Sequence, residues 1–382
     1  MDWTQPVENS IEGLSYAMDN LDGVEFDLRL TKDRHLVIHH DRKVATTSEK
    51  LEGMPKYAEE WTLDELMDLG FASFDQLLSD KVFMDNWIEK SKVVCLEVKV
   101  PHVKSRVMKN PWSRNTHDKY MADLLSELES KIVEAGVPEE NAVYYSFHSR
   151  MQRSVKMSGV TRNWSMLSPN LPAYGGALTE KIRGAPSFLS TSFYRLMRKH
   201  QNANSKMMPC AIEYLDGIFK NLPLGYTVGL ENNHLTRARK FLEGFPVYVW
   251  PCSAENEFRL INGGFTGLTD NPDPNLTWLP SGHARWFKPS SLPLTKQQSQ
   301  ELQNANEQNH HDVLNQLKSE ATPWHELDSS GKREILQFWR EKWSWSKPLD
   351  KLVEESNGPS MPWESVRLIG HRGCGKTPRP LY

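Results

Sequence analysis

The amino-acid sequence predicts an α/β fold, a (β/α)8 TIM barrel. Two observations predict it. Short β-rich runs alternate with helical stretches, as in a parallel sheet covered by helices. Nine such runs are legible in the chain, one more than the eight strands of that barrel.

In order the runs are Gly23–Leu30, His35–His40, Val93–Val100, Ala142–Phe147, Trp164–Leu167, Cys210–Tyr214, Pro246–Trp250, Gly267–Thr269 and Val366–Gly370. Only a few residues separate the first two, too few for a helical crossover. Either one of them is imperfectly paired, or both are barrel strands with a tight connection. Asn9, with Glu12 three residues later, has the spacing of a helix start. Ile11, Leu14, Ala17, Met18 and Leu21 then give one apolar stripe. Met121–Ala135 and Leu235–Leu242 carry similar stripes, whereas 172–209 breaks the alternation and reads as an insertion.

The barrel is expected in residues 1–272 plus 363–382, and 273–362 as a helical connector packed on it. Prolines and Trp278, Trp286 and Phe287 place 271–293 in a loop-like setting. The Gln/Asn-rich stretch 297–318 has sparse apolar positions, either a helix or a solvated run. Ile335, Leu336, Phe338, Trp339 and Trp343 form a more apolar helix.

At 382 residues, 38% hydrophobic and 25% charged, the chain has the composition of a soluble globular protein. A net charge of −3 argues against nucleic acid as a partner. No apolar run approaches the ~18 residues of a membrane span, so no stable membrane insertion is expected. Residues 1–25 lack a basic-then-apolar leader, and the default address is cytoplasmic. The four cysteines, Cys95, Cys210, Cys252 and Cys374, are scattered without a CxxC pair, which excludes a disulfide framework.

Glu25 and Asp27 lie two apart on a strand and share a face. Paired carboxylates there are hard oxygen ligands suited to Mg²⁺ or Ca²⁺. Glu97 stands in an otherwise apolar strand, where a charge needs a partner. A metal shared with Glu25 and Asp27 satisfies it, and so does a metal-free pair with Lys99. His40 and His371 each end a strand run, where barrel active sites are built. Two imidazoles flanking a phosphodiester can serve as general base and general acid. Arg372, beside His371, offers a fork of donors to a phosphate oxygen, and Lys99 offers a point charge.

With residues 366–382 placed before 1–45, the motifs His371-Arg372-Gly373, Glu8-Asn9-Ser10, Glu25/Asp27, Thr31/Asp33 and His40-Asp41 follow in a familiar order. Leu96-Glu97-Val98-Lys99, Ser146-Phe147, Val247–Trp250 and Gly267–Pro272 continue it. In this rotated order the chain resembles the glycerophosphodiester phosphodiesterase family, most of all its eukaryotic-type branch. Val7 stands where the family usually has proline. The resemblance implies a circularly permuted barrel whose first strand lies at the C-terminus. It also implies a metal-dependent hydrolase, with Mg²⁺ or Ca²⁺, that cleaves a small glycerophosphodiester to an alcohol and glycerol 3-phosphate. A neighbouring hydroxyl of the substrate glycerol is a candidate first attacker. Carried over, His371 and His40 are the acid–base pair, Glu25, Asp27 and Glu97 the metal ligands, and Arg372 and Lys99 the phosphate contacts. Glu8, Phe147 and Trp250 are candidate pocket residues. An aromatic wall of Phe147, Trp250 and Tyr145 would suit a choline cation.

Two other readings compete. One is a barrel that binds glycerophosphodiesters, or a protein partner, without turnover. The other is a nucleotide-binding P-loop, because Gly370–Thr377 satisfies GxxxxGK[ST]. A P-loop needs a following helix to present amides to phosphate, and Pro378-Arg379-Pro380 interrupts any helix there.

Overall fold

A computed structural model describes residues 3–44, 54–102, 104–108, 114–167, 191–216 and 227–377. Part of the expected insertion, 172–190, and the segment 378–382 after the P-loop-like motif lie outside the described residues. The chain divides into two compact units, Met1–Met166 with Gly370–Tyr382, and Leu167–Ile369.

Among the described residues the strands are β1 (Gly23–Leu30), β2 (Leu36–Ile38), β3 (Ala72–Ser73), β4 (Val93–Val98), β5 (Ala142–Ser146), β6 (Trp164–Met166), β7 (Met208–Ala211), β8 (Val247–Cys252), β9 (Thr266–Thr269), β10 (Trp278–Leu279), β11 (His283–Ala284) and β12 (Leu368–His371). Eight of them follow the order β6-β5-β4-β1-β12-β9-β8-β7, and this α/β ladder with its helices is TIM-barrel-like.

In the first unit β1 is the pivot. It runs parallel to β4 from Gly23↔Val93 to Leu28↔Val98, and on its other side Glu25 registers with His371. Its eight residues are all buried, yet they alternate in character. Val24, Phe26 and Leu28 form the apolar face, where the Phe26 ring meets Phe74 and Phe83 at 6.2 and 6.3 Å. Burying one such ring is worth ~1.5–3 kcal/mol. Ser73 and Asp80 cap the helices that carry these partners, accepting from the amides of Gln76 and Phe83. Glu25, Asp27 and Arg29 take the opposite face.

The second run, His35–His40, is not a barrel strand. Thr31 Oγ1 accepts from the His35 amide at 2.9 Å and donates to Asp33 at 2.6 Å, closing a turn in which Arg34 takes φ +69°. β2 therefore returns antiparallel to β1, Leu28↔Ile38 to Leu30↔Leu36, and pairs onward with β3. Val37 packs there with Val44, Ala58, Trp61, Leu66 and Phe71 in a small core of its own.

The first helix spans Ile11–Asn20, and its N-cap is Ser10, which accepts from the Gly13 amide. The expected start at Asn9 is thus one residue early. Asn9 has φ +58°, a left-handed backbone that Asn tolerates, and its side chain is engaged elsewhere.

In the second unit β7, β8 and β9 run parallel. The expected strand Cys210–Tyr214 is shifted. β7 covers Met208–Ala211 and the chain then winds into a 3-10 turn, Ile212–Tyr214, closed by the Leu215 amide on the Ile212 carbonyl at 2.8 Å. Residues 208–209 of the expected insertion are strand, and Phe193–Asn202 is a helix. Trp278 lies in the two-residue ladder β10–β11 rather than in loop. The Gln/Asn-rich stretch forms helices Lys296–Asn304 and His310–Glu320, the first begun by a Thr295/Gln298 capping box. Helix Ser329–Trp343 presents Ile335, Leu336, Trp339 and Trp343 to a core with Trp324 and Trp345. Trp343 Nε1 donates to the Asn262 carbonyl at 3.3 Å.

In the first unit Gly370 and His371 pair with β1; in the second the Arg367 carbonyl accepts from the Gly267 amide at 2.9 Å. All four cysteines are buried and unpaired with one another. Among the described residues no helix is long and apolar enough to cross a membrane.

Candidate active site

The residues singled out on either end of the sequence meet inside the first unit. Period-two alternation puts Glu25 and Asp27 on one face of β1. Register with β4 places Glu97 directly beside Asp27, and register with β12 places His371 beside Glu25. Carboxylate oxygens of Glu25, Asp27 and Glu97 lie within 4.8 Å of one another, all three residues buried. Lys99, two residues past Glu97, sets its ammonium 2.7 Å from Asp27 Oδ1 and also pairs with Glu97 Oε1.

The turn after β12 folds back on this cluster. Arg372 has φ +52°, and its amide donates to Glu25 Oε2 at 3.0 Å. Its guanidinium donates to Glu8 Oε2 at 3.0 Å and lies 3.7 Å from Asp27 Oδ2. Gly373 follows at φ +84°, where a Cβ would come within 2.8 Å of the Gly13 backbone. Only glycine permits that approach. Asn9 completes the turn: its amide donates to the Arg372 carbonyl at 3.0 Å, and its Nδ2 donates to Asp27 Oδ2 at 3.0 Å.

The two histidines act on different carboxylates, His371 on Glu25 and His40 on Asp27. His371 Nε2 lies 3.7 Å from Glu25 Oε2. His40 is not at the end of a barrel strand as expected, but two residues past β2. It reaches the site because β2 is antiparallel and brings the chain back level with Asp27, whose carbonyl accepts from the His39 amide at 3.0 Å. Asp41 Oδ1 is 3.0 Å from His40 Nδ1, and Arg29 donates to the His40 carbonyl at 3.0 Å. A cavity of about 340 Å³ adjoins, lined by Glu8, Asn9, His39, His40 and Phe71 among others.

Burial governs the electrostatics. Desolvation, then repulsion from Asp27, pushes Glu25 up to about 7. Burial also acts to raise Asp27, but Lys99, His40 and Arg372 outweigh it and hold that carboxyl well below the usual range. Glu97 is raised by burial despite Lys99. The Arg372 guanidinium is lowered by burial and raised on balance by Asp27, Glu8 and Glu25. Tyr145, registered with Glu97 across β5, is raised by burial and then by Glu25.

These residues fit a divalent cation. Four buried carboxylates (Glu8, Glu25, Asp27, Glu97) face two cationic side chains, Lys99 and Arg372, which leaves two negative charges uncompensated when all four are ionised. Oxygen-only donors of this kind suit Mg²⁺ or Ca²⁺. Lys99 already takes one oxygen each of Asp27 and Glu97, the pairing foreseen for a metal-free site.

Of the candidate pocket residues, Glu8 belongs to the cluster through Arg372. Phe147 follows β5 and is 43% exposed. Trp250 is in the second unit, half-buried on β8 and registered with Ala211. Sequence reasoning gave no role to Asn9 beyond a helix start, nor to Arg29. The signals were present: Asn9 stands in the Glu8-Asn9-Ser10 motif, and Arg29 continues the Glu25, Asp27 alternation.

The P-loop spacing has a different explanation. The amides of Arg372 and Gly373 that would cradle phosphate are spent on Glu25, on its carboxylate and carbonyl. Thr377 Oγ1 accepts from the Glu8 amide at 3.1 Å.

Residues 2–167 match the model of the Glycerophosphoryl diester phosphodiesterase family, a stretch that holds every cluster residue except His371 and Arg372. No curated protein matches the chain. Among solved structures, a glycerophosphodiester phosphodiesterase from Thermotoga maritima is similar at 15% identity and TM-score 0.40, covering 69% of this chain and 88% of that one. A phosphodiesterase from Oleispira antarctica, in complex with the product sn-glycerol-3-phosphate, is similar at 13% identity and TM-score 0.44, covering 70% and 89%. The family match is to residues 2–167, less than half of the chain.

Proposed function

We propose that this chain is a metal-dependent glycerophosphodiester phosphodiesterase, releasing an alcohol and glycerol 3-phosphate. One observation carries the reading: His371 and Arg372, from one end of the sequence, join Glu8, Asn9, Glu25, Asp27, Glu97 and His40 from the other around one buried acidic cluster. Glu25, Asp27 and Glu97 hold a divalent ion, Mg²⁺ or Ca²⁺. When bound, the ion withdraws charge from the phosphate oxygens. Arg372 and Lys99 supply the remaining positive charge against the phosphate, and Asn9 keeps the Asp27 carboxylate in place. Asp41 fixes the His40 ring through Nδ1, so its proton is exchanged at Nε2. His371, beside Glu25, exchanges the second proton.

The same reading takes the order of strands as a circular permutation. β12 supplies the first barrel strand from the C-terminal end, with 273–362 as the connector that leads to it and 1–272 plus 363–382 as the barrel. The pairing of β12 with β1 supports this.

The test is release of glycerol 3-phosphate from glycerophosphocholine with Mg²⁺ or Ca²⁺, and then with EDTA. Release that EDTA abolishes is the expected result. Folded protein that releases none from several head groups with any divalent ion overturns the reading. It would favour the non-catalytic binding barrel, for which the Lys99 bridge between Asp27 and Glu97 is the favouring observation.

A further inference from the structure

The second unit carries a partly open cavity of about 100 Å³ that the phosphodiesterase reading does not use. It lies among helix Ala254–Gly263, the β10–β11 ladder, helix Lys296–Asn304 and helix Ser329–Trp343. Phe258, Trp286, Phe338, Trp339 and Trp343 contribute aromatic rings to its wall. A sealed cavity of ~150 Å³ takes benzene; this smaller one is open to solvent on one side, so a single ring can enter it with part of its edge outside.

Its charges are unbalanced. Glu257 lines the cavity, but Arg285 neutralises it through two bonds of 2.7 Å. Lys342 lines it too, and no carboxylate among the described residues comes within ion-pair distance. Its ammonium instead sits 5.3 Å from the Trp343 ring centre and 5.7 Å from that of Phe338. Nearby, Arg239 spends its guanidinium on the carbonyls of Gly263 and Asn262, at 2.9 and 2.5 Å. Lys342 is therefore the cation of a cavity whose acid is already paired. Burial, then the Arg239 charge, pushes Lys342 down to about 8, the direction expected of an ammonium short of counter-charge.

We propose that this cavity binds a small single-ring carboxylate, its ring among the tryptophans and its carboxylate on Lys342 Nζ. Mostly apolar walls with a few placed polar groups are the usual construction of a small-molecule site. The ring gains aromatic contact, and the carboxylate supplies the anion Lys342 lacks. The site is separate from the acidic cluster and does not depend on the phosphodiesterase reading.

The experiment uses the full chain with benzoate and phenylacetate as probes and benzyl alcohol as the uncharged counterpart. Binding is followed by calorimetry and by tryptophan fluorescence, since Trp286, Trp339 and Trp343 line the chamber. The carboxylates should bind about ten- to hundredfold more tightly than the alcohol. Lys342→Met should bring them down to the alcohol's level, and Lys342→Arg should restore part of the difference. Equal binding of acid and alcohol to the unmodified chain would refute the charge pairing without any variant. No binding of any probe at millimolar concentration, to protein with intact circular dichroism, would refute the site itself. Loss or retention of phosphodiesterase turnover bears on neither outcome.

Discussion

Lys99→Met tests the electrostatics of the acidic cluster directly. The ammonium is within 2.7 Å of Asp27 Oδ1 and also pairs with Glu97, and all three side chains are at most a tenth exposed. Methionine keeps the length of the side chain and removes the charge. Of permanently charged cations, Glu25, Asp27 and Glu97 then retain Arg372, which Glu8 already shares, beside the titratable His371 and His40. Removing one partner from a buried ion pair costs about 3–5 kcal/mol. For a unit of this size that corresponds to roughly 6–20 °C in the unfolding midpoint. At pH 8 in EDTA, the variant should melt lower by that much. Added Mg²⁺ or Ca²⁺ should then raise its midpoint by more than it raises the unmodified chain's, because Lys99 no longer repels the ion or occupies its oxygens. At a hundredfold excess over Kd, a bound ion contributes about 2.7 kcal/mol. Calorimetry with and without EDTA reads both effects. An unchanged midpoint in EDTA, or equal metal-induced shifts in the two proteins, would refute the cluster as an ion site under-compensated by its own lysine.

Three further outcomes follow from the site and its surroundings. His371→Ala and His40→Ala should each lower kcat by about 10²–10⁴-fold with an unchanged far-ultraviolet spectrum; near-normal turnover in either would remove it from the acid–base pair. Asn9→Ala deletes the 3.0 Å bond to Asp27 and places alanine at φ +58°. It should cost about 1–3 kcal/mol by denaturant unfolding, with Asn9→Gly recovering only the backbone part. Buried His200 is pushed down to about 4 by desolvation. Below its unfolded value near 6.5 the unfolded chain takes up a proton that the folded chain refuses. The structure should therefore lose about 3 kcal/mol as pH falls from roughly 6.5 to 4, and His200→Gln should flatten that part of the stability profile.

Chemistry spaced along one strand was legible in the sequence. Glu25 and Asp27 two apart, and Glu97 in an apolar run, specify shared faces and a buried charge wherever the strand lies, because the strand period is fixed by covalent geometry. Helices with regular stripes, such as Ile11–Asn20 and Ser329–Trp343, were legible for the same reason. The route of His40 was not. A histidine ending an apolar run looks the same on a barrel strand and on an antiparallel return, and the Thr31–His35 turn bond decides between them. Asn9 was misread because Asn and Ser both cap helices, and only the pull of Asp27 on its side chain moves the cap to Ser10. Which residues carry charge was set by the sequence alone; the register of β1 with β4 and β12 decided which charges meet, since hydrogen-bonded strands distant in sequence align only when the whole sheet forms.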